Sequence, residues 1–532
     1  MKAHLLYQDR DFDFAAPLPP GHQDLTQDLE LTTLLAAMAA DDKFLWEVAG
    51  KVLLASLPDA DAICYRQRIL ADCLAHPQVI REMYDIATAA LLDKRRLWGG
   101  YGSNYQTPSG NLSGAVGHLE AYVARLRQLR KIADDHAEEF RSDGLRALFA
   151  TLQGELDDEY FEEVSYHLKQ LRFRGGVLIS AELDRDNGGM GFVLRATGDG
   201  RRRWRQRLGI GQRSTYSFTL APRDEAGAQI LADLTSRGMN LVANAAAQSA
   251  DHIDSYFTML RGELGFYVSC LNLADRLAAK GVPVTTPEPA QSAWPAFSCT
   301  DLRDACLELQ SSGPVVGNDV QGDGKPLVII TGANSGGKST FLRSVGVAQL
   351  MMQCGLFVTA AAYRADVTCG IFTHFIREED SSMTSGRLDD ELRRMSAIVS
   401  QLKPHCLMLF NESFAGTNER EGSEIGYQVV RALLDVSAKV FFVSHRFDFA
   451  DRFRRERDRA VLFLRAERQP DGRRNYKLAV KDPLPTSFGE DLYYQLGGWL
   501  DEDKAAIPAV GGAPPDGRTS SGARSSDLPG LR

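Results

Sequence analysis

The stretch that most constrains this 532-residue chain is Gly332-Ala333-Asn334-Ser335-Gly336-Gly337-Lys338-Ser339-Thr340. It fits G-x-x-x-x-G-K-[ST], follows the apolar run Leu327–Thr331 and precedes helical spacing, the context this motif requires. Gly332 and Gly337 let the backbone curl until successive N–H groups face phosphate oxygens, and a helix N-terminus adds partial positive charge. Lys338 can then reach the β- and γ-phosphates, and the Ser339 hydroxyl is placed to ligate Mg2+. The expected ligands are ATP and Mg2+.

A second motif lies about 70 residues downstream. The apolar run Leu407-Met408-Leu409-Phe410 ends in Asn411-Glu412, a strand delivering polar side chains at its C-terminal end. An Asp normally ends such a strand, with Glu after it. Asn411 offers the metal an amide oxygen without negative charge, and Glu412 is the candidate general base. A third strand, ending Val443-Ser444-His445-Arg446, places His445 as a γ-phosphate contact.

These motifs, in this order, resemble the ATPase domain of the MutS family of DNA mismatch repair proteins, which are ABC-type P-loop ATPases. The likeness runs through T-G-A-N-S-G-G-K-S-T, Thr384-Ser385-Gly386-Arg387, L-F-N-E-S-F-A-G-T-N-E-R-E-G and S-H-R, over roughly residues 300–450. The resemblance implies a homodimer with composite sites, in which the signature loop of one subunit touches the nucleotide held by the other. Ser385 and Gly386, ahead of a helix expected over Leu388–Val399, are the signature candidate; an ordinary serine N-cap is the alternative. Thr417-Asn418-Glu419 matches the loop between the two sites, and Val316, with Val315, is a candidate for packing on the adenine.

The rest of the chain sets out the expected architecture. Residues 1–165 read as a helical core or lever, 166–220 as a basic β insertion resembling a clamp, and 221–285 as returning helices. Residues 286–500 form the α/β ATPase domain, with Pro283–Pro295 as linker, and 501–532 read as a disordered tail. The Gly-rich stretch Trp98–Gly102 is expected to interrupt the helices. Asp186-Asn187-Gly188-Gly189 is hairpin chemistry, and Tyr216–Leu220 alternates like a further strand. Too few residues precede the helical core for the mismatch-reading domain that the resemblance brings with it. The literal Phe-x-Glu match, Phe161-Glu162-Glu163, lies in an acidic stretch and reads as solvated helix.

Net charge is −9, so any nucleic-acid surface must be local. Tyr166–Leu220 carries eleven basic residues against four acidic ones, concentrated at Arg201, Arg202, Arg203, Arg205 and Arg207 around Trp204. Such a surface would bind DNA phosphates without reading sequence; a charge-protected strand edge is the other reading. Eight scattered cysteines form no zinc spacing, and Asp9 and Arg10 fall where a secretion signal would be apolar, so a cytoplasmic setting is expected. The uncharged run Ser344–Tyr363 reads as a helix buried under a sheet rather than a membrane span. The reading is an ATP-dependent DNA-binding ATPase of the MutS type. Its rival is a nucleotide-gated DNA or protein binding module with little or no hydrolysis, which Asn411 favours.

Overall fold

The computed structural model describes residues 2–99, 107–173, 176–186, 189–195, 217, 219–290, 295–377, 386–456, 460–469 and 473–486. Helices fill the first half: α1 (His22–Asp28), α2 (Leu31–Ala39), α3 (Lys43–Leu54), α4 (Ala60–Ala75), α5 (Pro77–Gly99), α6 (Pro108–His136), α7 (Asp143–Glu155) and α8 (Asp158–Leu171). An antiparallel hairpin, β1 (Leu178–Leu183) and β2 (Gly189–Arg195), precedes α9 (Glu225–Ala279), which is 55 residues and about 80 Å long. Short acidic side chains set the starts. Asp42 accepts from Phe44 N–H, Asp59 from Ala62, Asp157 from Tyr160 and Asp224 from Gly227, each satisfying an otherwise unpaired donor.

The C-terminal half of α9 is the spine of this region. Tyr256, Phe257, Leu260, Leu264, Val268 and Leu271 are buried, and the helix packs on α2, α3, α5 and α6. The same helix captures the N-terminal segment. Fully buried Glu263 accepts from the Leu5 N–H (2.6 Å) and the Phe12 N–H (3.4 Å), and Tyr267 donates to the Leu5 carbonyl (2.6 Å). Tyr65 and Arg66 of α4 donate to the His4 and Leu6 carbonyls.

Strand–helix alternation takes over from residue 288. A four-stranded sheet is ordered β3 (Glu288–Ala290), β7 (Ala362–Asp366), β4 (Phe297–Leu302), β5 (Asn318–Gln321). A six-stranded sheet is ordered β12 (Arg474–Val480), β11 (Val461–Arg468), β6 (Leu327–Gly332), β10 (Lys439–Val443), β9 (Leu407–Asn411), β8 (Ile371–Phe375). The latter is parallel except for the edge strand β12. Its central strands are nearly continuous apolar runs because both faces are covered. The helices here are α10 (Ala305–Gln310), α11 (Lys338–Gln353), α12 (Arg387–Val399), α13 (Glu419–Asp435) and α14 (Phe447–Arg455).

One continuous apolar core runs from the helices into the α/β region. Polar ties reinforce the junction. The Leu57 N–H donates to the Gln353 carbonyl (2.9 Å), Arg66 reaches the Cys354 carbonyl (3.4 Å), and Arg343 of α11 pairs with Glu30 and Asp304.

The structure departs from the sequence expectations at four places. The backbone of α5 continues through Trp98 to Gly99 rather than breaking at Trp98; residues 100–106 lie outside the described residues. Residues 288–290 of the expected linker form β3, where Pro289 is tolerated because β3 is an edge strand. Ser217, Thr219 and Leu220 belong to no strand; the chain turns at Ala221–Asp224 into the cap of α9. Phe161 is buried rather than solvated, with the Arg127 guanidinium 4.5 Å over its ring, because α8 is amphipathic and turns Phe161 and Leu168 inward. The expected tail, 501–532, lies outside the described residues. The uncharged run from Ser344 begins as α11, buried along its length, and among the described residues no helix is long and apolar enough to cross a membrane. All eight cysteines are free thiols.

Candidate functional site

The loop 332–340 joins β6 to α11, so the sheet and the helix fix its two ends. At Gly332 (φ 107°) any Cβ would sit 2.8 Å from the Ala466 nitrogen of β11, so only glycine fits. Gly337 (φ 87°) is the left-handed residue that opens α11. Between them, Ser335 also takes a positive φ of 56°, which completes the curl. Asn334 through Phe341 line a cavity of about 760 Å³.

Lys338 lies in the first turn of α11, buried, with Nζ donating to the Gly332 carbonyl (3.1 Å) and the Ala333 carbonyl (2.9 Å). Burial pushes its pKa below the usual lysine value, and the Glu412 carboxylate opposes that shift. A buried ammonium whose hydrogen-bond partners are neutral carbonyls gains from added negative charge. Beside it the Ser339 hydroxyl donates to Asn411 Oδ1 (2.9 Å), which brings two hard oxygen donors from separate elements together.

Register places the other two motifs. In the parallel pairing Asn411 lies opposite Val443, so the residues that follow, Glu412 and His445, emerge at the same sheet edge as the loop after β6. Glu412 has φ 54°, and its N–H donates to the Val443 carbonyl (3.0 Å). The left-handed turn sends its side chain back to the cavity, which both Glu412 and His445 line. His445 Nδ1 stands 3.6 Å from Glu412 Oε2. His445 is the main cause that holds the Glu412 carboxyl below its ordinary value, against the effect of burial; Lys338 assists. Glu412 is thus an ionised carboxylate at neutral pH, as a base must be.

Part of the cavity wall is apolar. Pro314, Val315 and Val316 line the cavity with Leu302 and Leu307, and Tyr476 of β12 lines it beside Gly337. Tyr476 takes a positive φ of 58° and is fixed by Asn318, whose amide donates to the Tyr476 carbonyl (3.2 Å) and accepts from the Leu478 N–H (2.8 Å). Asp304 also lines the cavity; it caps α10 and pairs with Arg343, and burial raises its pKa. No motif marks Tyr476, Asn318 or Asp304 in the sequence. Tyr476 is more than 130 residues from the Gly-rich loop and adjoins it only through the strand order β12–β11–β6.

Other candidates lie elsewhere. Gly386 occupies the N-cap of α12 and Asn418 caps α13, accepting from the Glu421 N–H (3.0 Å). Gly386, and not Ser385, is therefore the N-cap residue. Ser385, Arg201, Arg202, Arg203, Arg205 and Arg207 lie outside the described residues. Among the described residues no group of three or more His, Cys, Asp or Glu side chains could by itself hold a metal ion.

The family described as MutS domain V matches residues 328–490, which contain every motif around this cavity, and the MutS2 N-terminal domain matches residues 58–280. The chain belongs to the MutS family. Similar proteins include "MutS protein homolog 4" of Mus musculus, 31% identical over 200 residues, which are 37% of this chain and 19% of that one. The "DNA mismatch repair protein MutS" of Chloroflexus aurantiacus is 30% identical over 197 residues, 34% of this chain and 20% of that one. "Endonuclease MutS2" of Lacticaseibacillus casei is 34% identical over 146 residues, 27% of this chain and 19% of that one. This MutS-family chain thus aligns with a fifth or less of the length of each of these relatives.

Proposed function

We propose that the chain is an ATP-dependent DNA-binding protein of the MutS type, a dimeric clamp that acts in DNA repair. One observation carries the nucleotide part. Lys338, the Ser339–Asn411 pair and the Glu412–His445 pair meet at one cavity whose rim is the Gly-rich loop. The loop amides and Lys338 bind the phosphates, and Val316 and Tyr476 offer apolar surface to the base. Ser339 and Asn411 fit Mg2+, because two neighbouring oxygens and no dedicated cage suit an ion that takes further oxygens from phosphate and water. Bound there, Mg2+ would supply charge neutralisation on the phosphate oxygens. Glu412 orients the attacking water and takes its proton, and His445 holds that carboxylate ionised and contacts the γ-phosphate.

DNA binding is drawn from the relatives' printed role in mismatch repair and from the basic cluster at Arg201, Arg202, Arg203, Arg205 and Arg207. In a homodimer with composite sites, Ser385 and Gly386 of one subunit would meet the nucleotide of the other. A second reading is favoured by Asn411. Without the carboxylate at this position the site binds Mg2+ less tightly, and the chain would act as a nucleotide-gated DNA or protein binding module that scarcely hydrolyses ATP.

The deciding experiment measures ATP turnover alongside binding to duplex, mismatched, branched and single-stranded DNA, with and without ATP, at two salt concentrations. ATP-dependent DNA affinity with turnover supports the clamp. ATP-dependent affinity without turnover selects the gated module, and indifference of DNA binding to ATP refutes both for DNA.

A further inference from the structure

The segment after the base is held more tightly than a connecting loop requires. Glu412 and Phe414 both take positive φ, 54° and 62°, the left-handed conformation that side chains other than glycine's disfavour. Such a loop relaxes unless its surroundings hold it, and relaxation would swing the Glu412 side chain away from the cavity.

Three side chains hold it. His374 of β8, fully buried, places Nδ1 2.8 Å from Ser413 Oγ and Nε2 2.9 Å from the Glu391 carbonyl of α12; Ser413 Oγ also lies 2.5 Å from the His374 carbonyl. The His374 ring stacks on Phe414 at 5.3 Å. Glu391, also buried, accepts from the Gly416 N–H (3.3 Å) through Oε2. Arg446, the residue after His445, donates to the Phe414 carbonyl (2.5 Å). The loop 413–416 is thus clamped from β8, from α12 and from the strand end that carries His445.

The proton count is informative. Nε2 faces a carbonyl and must carry hydrogen. Burial pushes the His374 pKa down to about 4, so at neutral pH that is the ring's single N–H, and Nδ1 is an acceptor. The one Ser413 hydrogen is then shared between Nδ1 and the His374 carbonyl.

We infer that His374 is a positioning residue for Glu412, acting through Ser413, and that α12 sets the carboxylate's position through His374 and Glu391. The inference rests on the nucleotide-hydrolysis reading above. It extends that reading by making turnover depend on the helix that follows the signature stretch, through groups that touch no nucleotide.

The test is steady-state ATP hydrolysis by the full chain, with nucleotide affinity measured in parallel, for Ser413→Ala, His374→Phe, the double variant and His374→Gln. Ser413→Ala removes one hydroxyl and keeps the backbone, so it serves even where His374→Phe fails to fold. Displacing a catalytic group by about 1 Å costs up to about 100-fold, so kcat should fall about 10- to 100-fold with KM unchanged. The double variant should be no slower than the slower single one, because both break one link. His374→Gln, whose amide can donate to the Glu391 carbonyl and accept from Ser413, should recover part of the loss. Wild-type kcat in Ser413→Ala and His374→Phe overturns the positioning role alone, as does a loss carried by KM and nucleotide affinity. A wild-type chain with no turnover overturns the hydrolysis reading and this role together.

Discussion

Glu263 should make the stability of this protein fall as pH rises through the weakly acidic range. Its carboxyl is fully buried on α9, where burial raises its pKa from 4.5 to about 7, outweighing the N–H bonds from Leu5 and Phe12. Between these two values the folded chain keeps a proton that the unfolded chain has released, so folding loses stability with each rise in pH. Each tenfold change in proton affinity is worth about 1.4 kcal/mol, so the loss from pH 4.5 to above 7 is at most about 3 kcal/mol. Glu263→Gln removes the titration and keeps one acceptor oxygen. At pH 4.5 the variant should be the less stable, by about 1 kcal/mol for the donor it leaves poorly matched. By pH 8 the difference should have moved by up to about 3 kcal/mol in the variant's favour. Urea denaturation of both proteins from pH 4.5 to 8 measures this. A stability difference that stays constant across that range would falsify the assignment of a retained proton to this carboxyl.

Three further outcomes are expected. Lys338→Ala removes the buried ammonium over the Gly-rich loop and should abolish ATP turnover and weaken nucleotide binding at least tenfold, measured by fluorescent-nucleotide titration; unchanged turnover sinks the loop assignment. Asn411→Asp should tighten Mg2+ dependence by adding charge beside Ser339, whereas Glu412→Gln should arrest hydrolysis and retain ATP; a Glu412→Gln protein with normal turnover means the base lies elsewhere. Reversing charge at Arg201, Arg202, Arg203 and Arg205 should weaken DNA of every sequence alike and lower the salt slope by about 0.9 per lost phosphate contact, with an unchanged slope leaving the cluster as surface.

The sequence was informative where function is written in contiguous residues. The Gly-rich loop, Asn411-Glu412 and His445 each end an apolar run, and parallel register brings strand ends together, so their meeting follows from the strand–helix alternation. Tyr476, Asn318 and Asp304 were not legible, because their place at the cavity depends on sheet order and on packing against α11. His374 was hidden for a related reason. A histidine inside Ile371–Phe375 looks like strand filling, and its partners Ser413 and Glu391 sit 39 and 17 residues away. The acidic start of α8 misled in the opposite direction: charge at Asp157, Asp158 and Glu159 masked the inward stripe of Phe161 and Leu168.

The contacts of α11 bear on how a nucleotide would be felt beyond its pocket. Its first turn carries Lys338 and Ser339. One turn further, Arg343 pairs with Asp304, which lines the same cavity, and with Glu30, which lies between α1 and α2. Gly346 packs so closely under Leu29 that a Cβ would come within 2.8 Å of it. At the last turn, Gln353 exchanges hydrogen bonds with the backbone of Leu57, and Arg66 joins the Cys354 carbonyl to the Leu6 carbonyl of the N-terminal segment. A helix gripped at both ends and in the middle moves as a body, because close-packed cores shift between discrete arrangements rather than deform smoothly. A displacement of α11 on phosphate binding would therefore be delivered to α2, α4 and the segment that Glu263 anchors to α9. The long helix is the element through which such a displacement would reach the hairpin, since α9 packs against both β1 and β2.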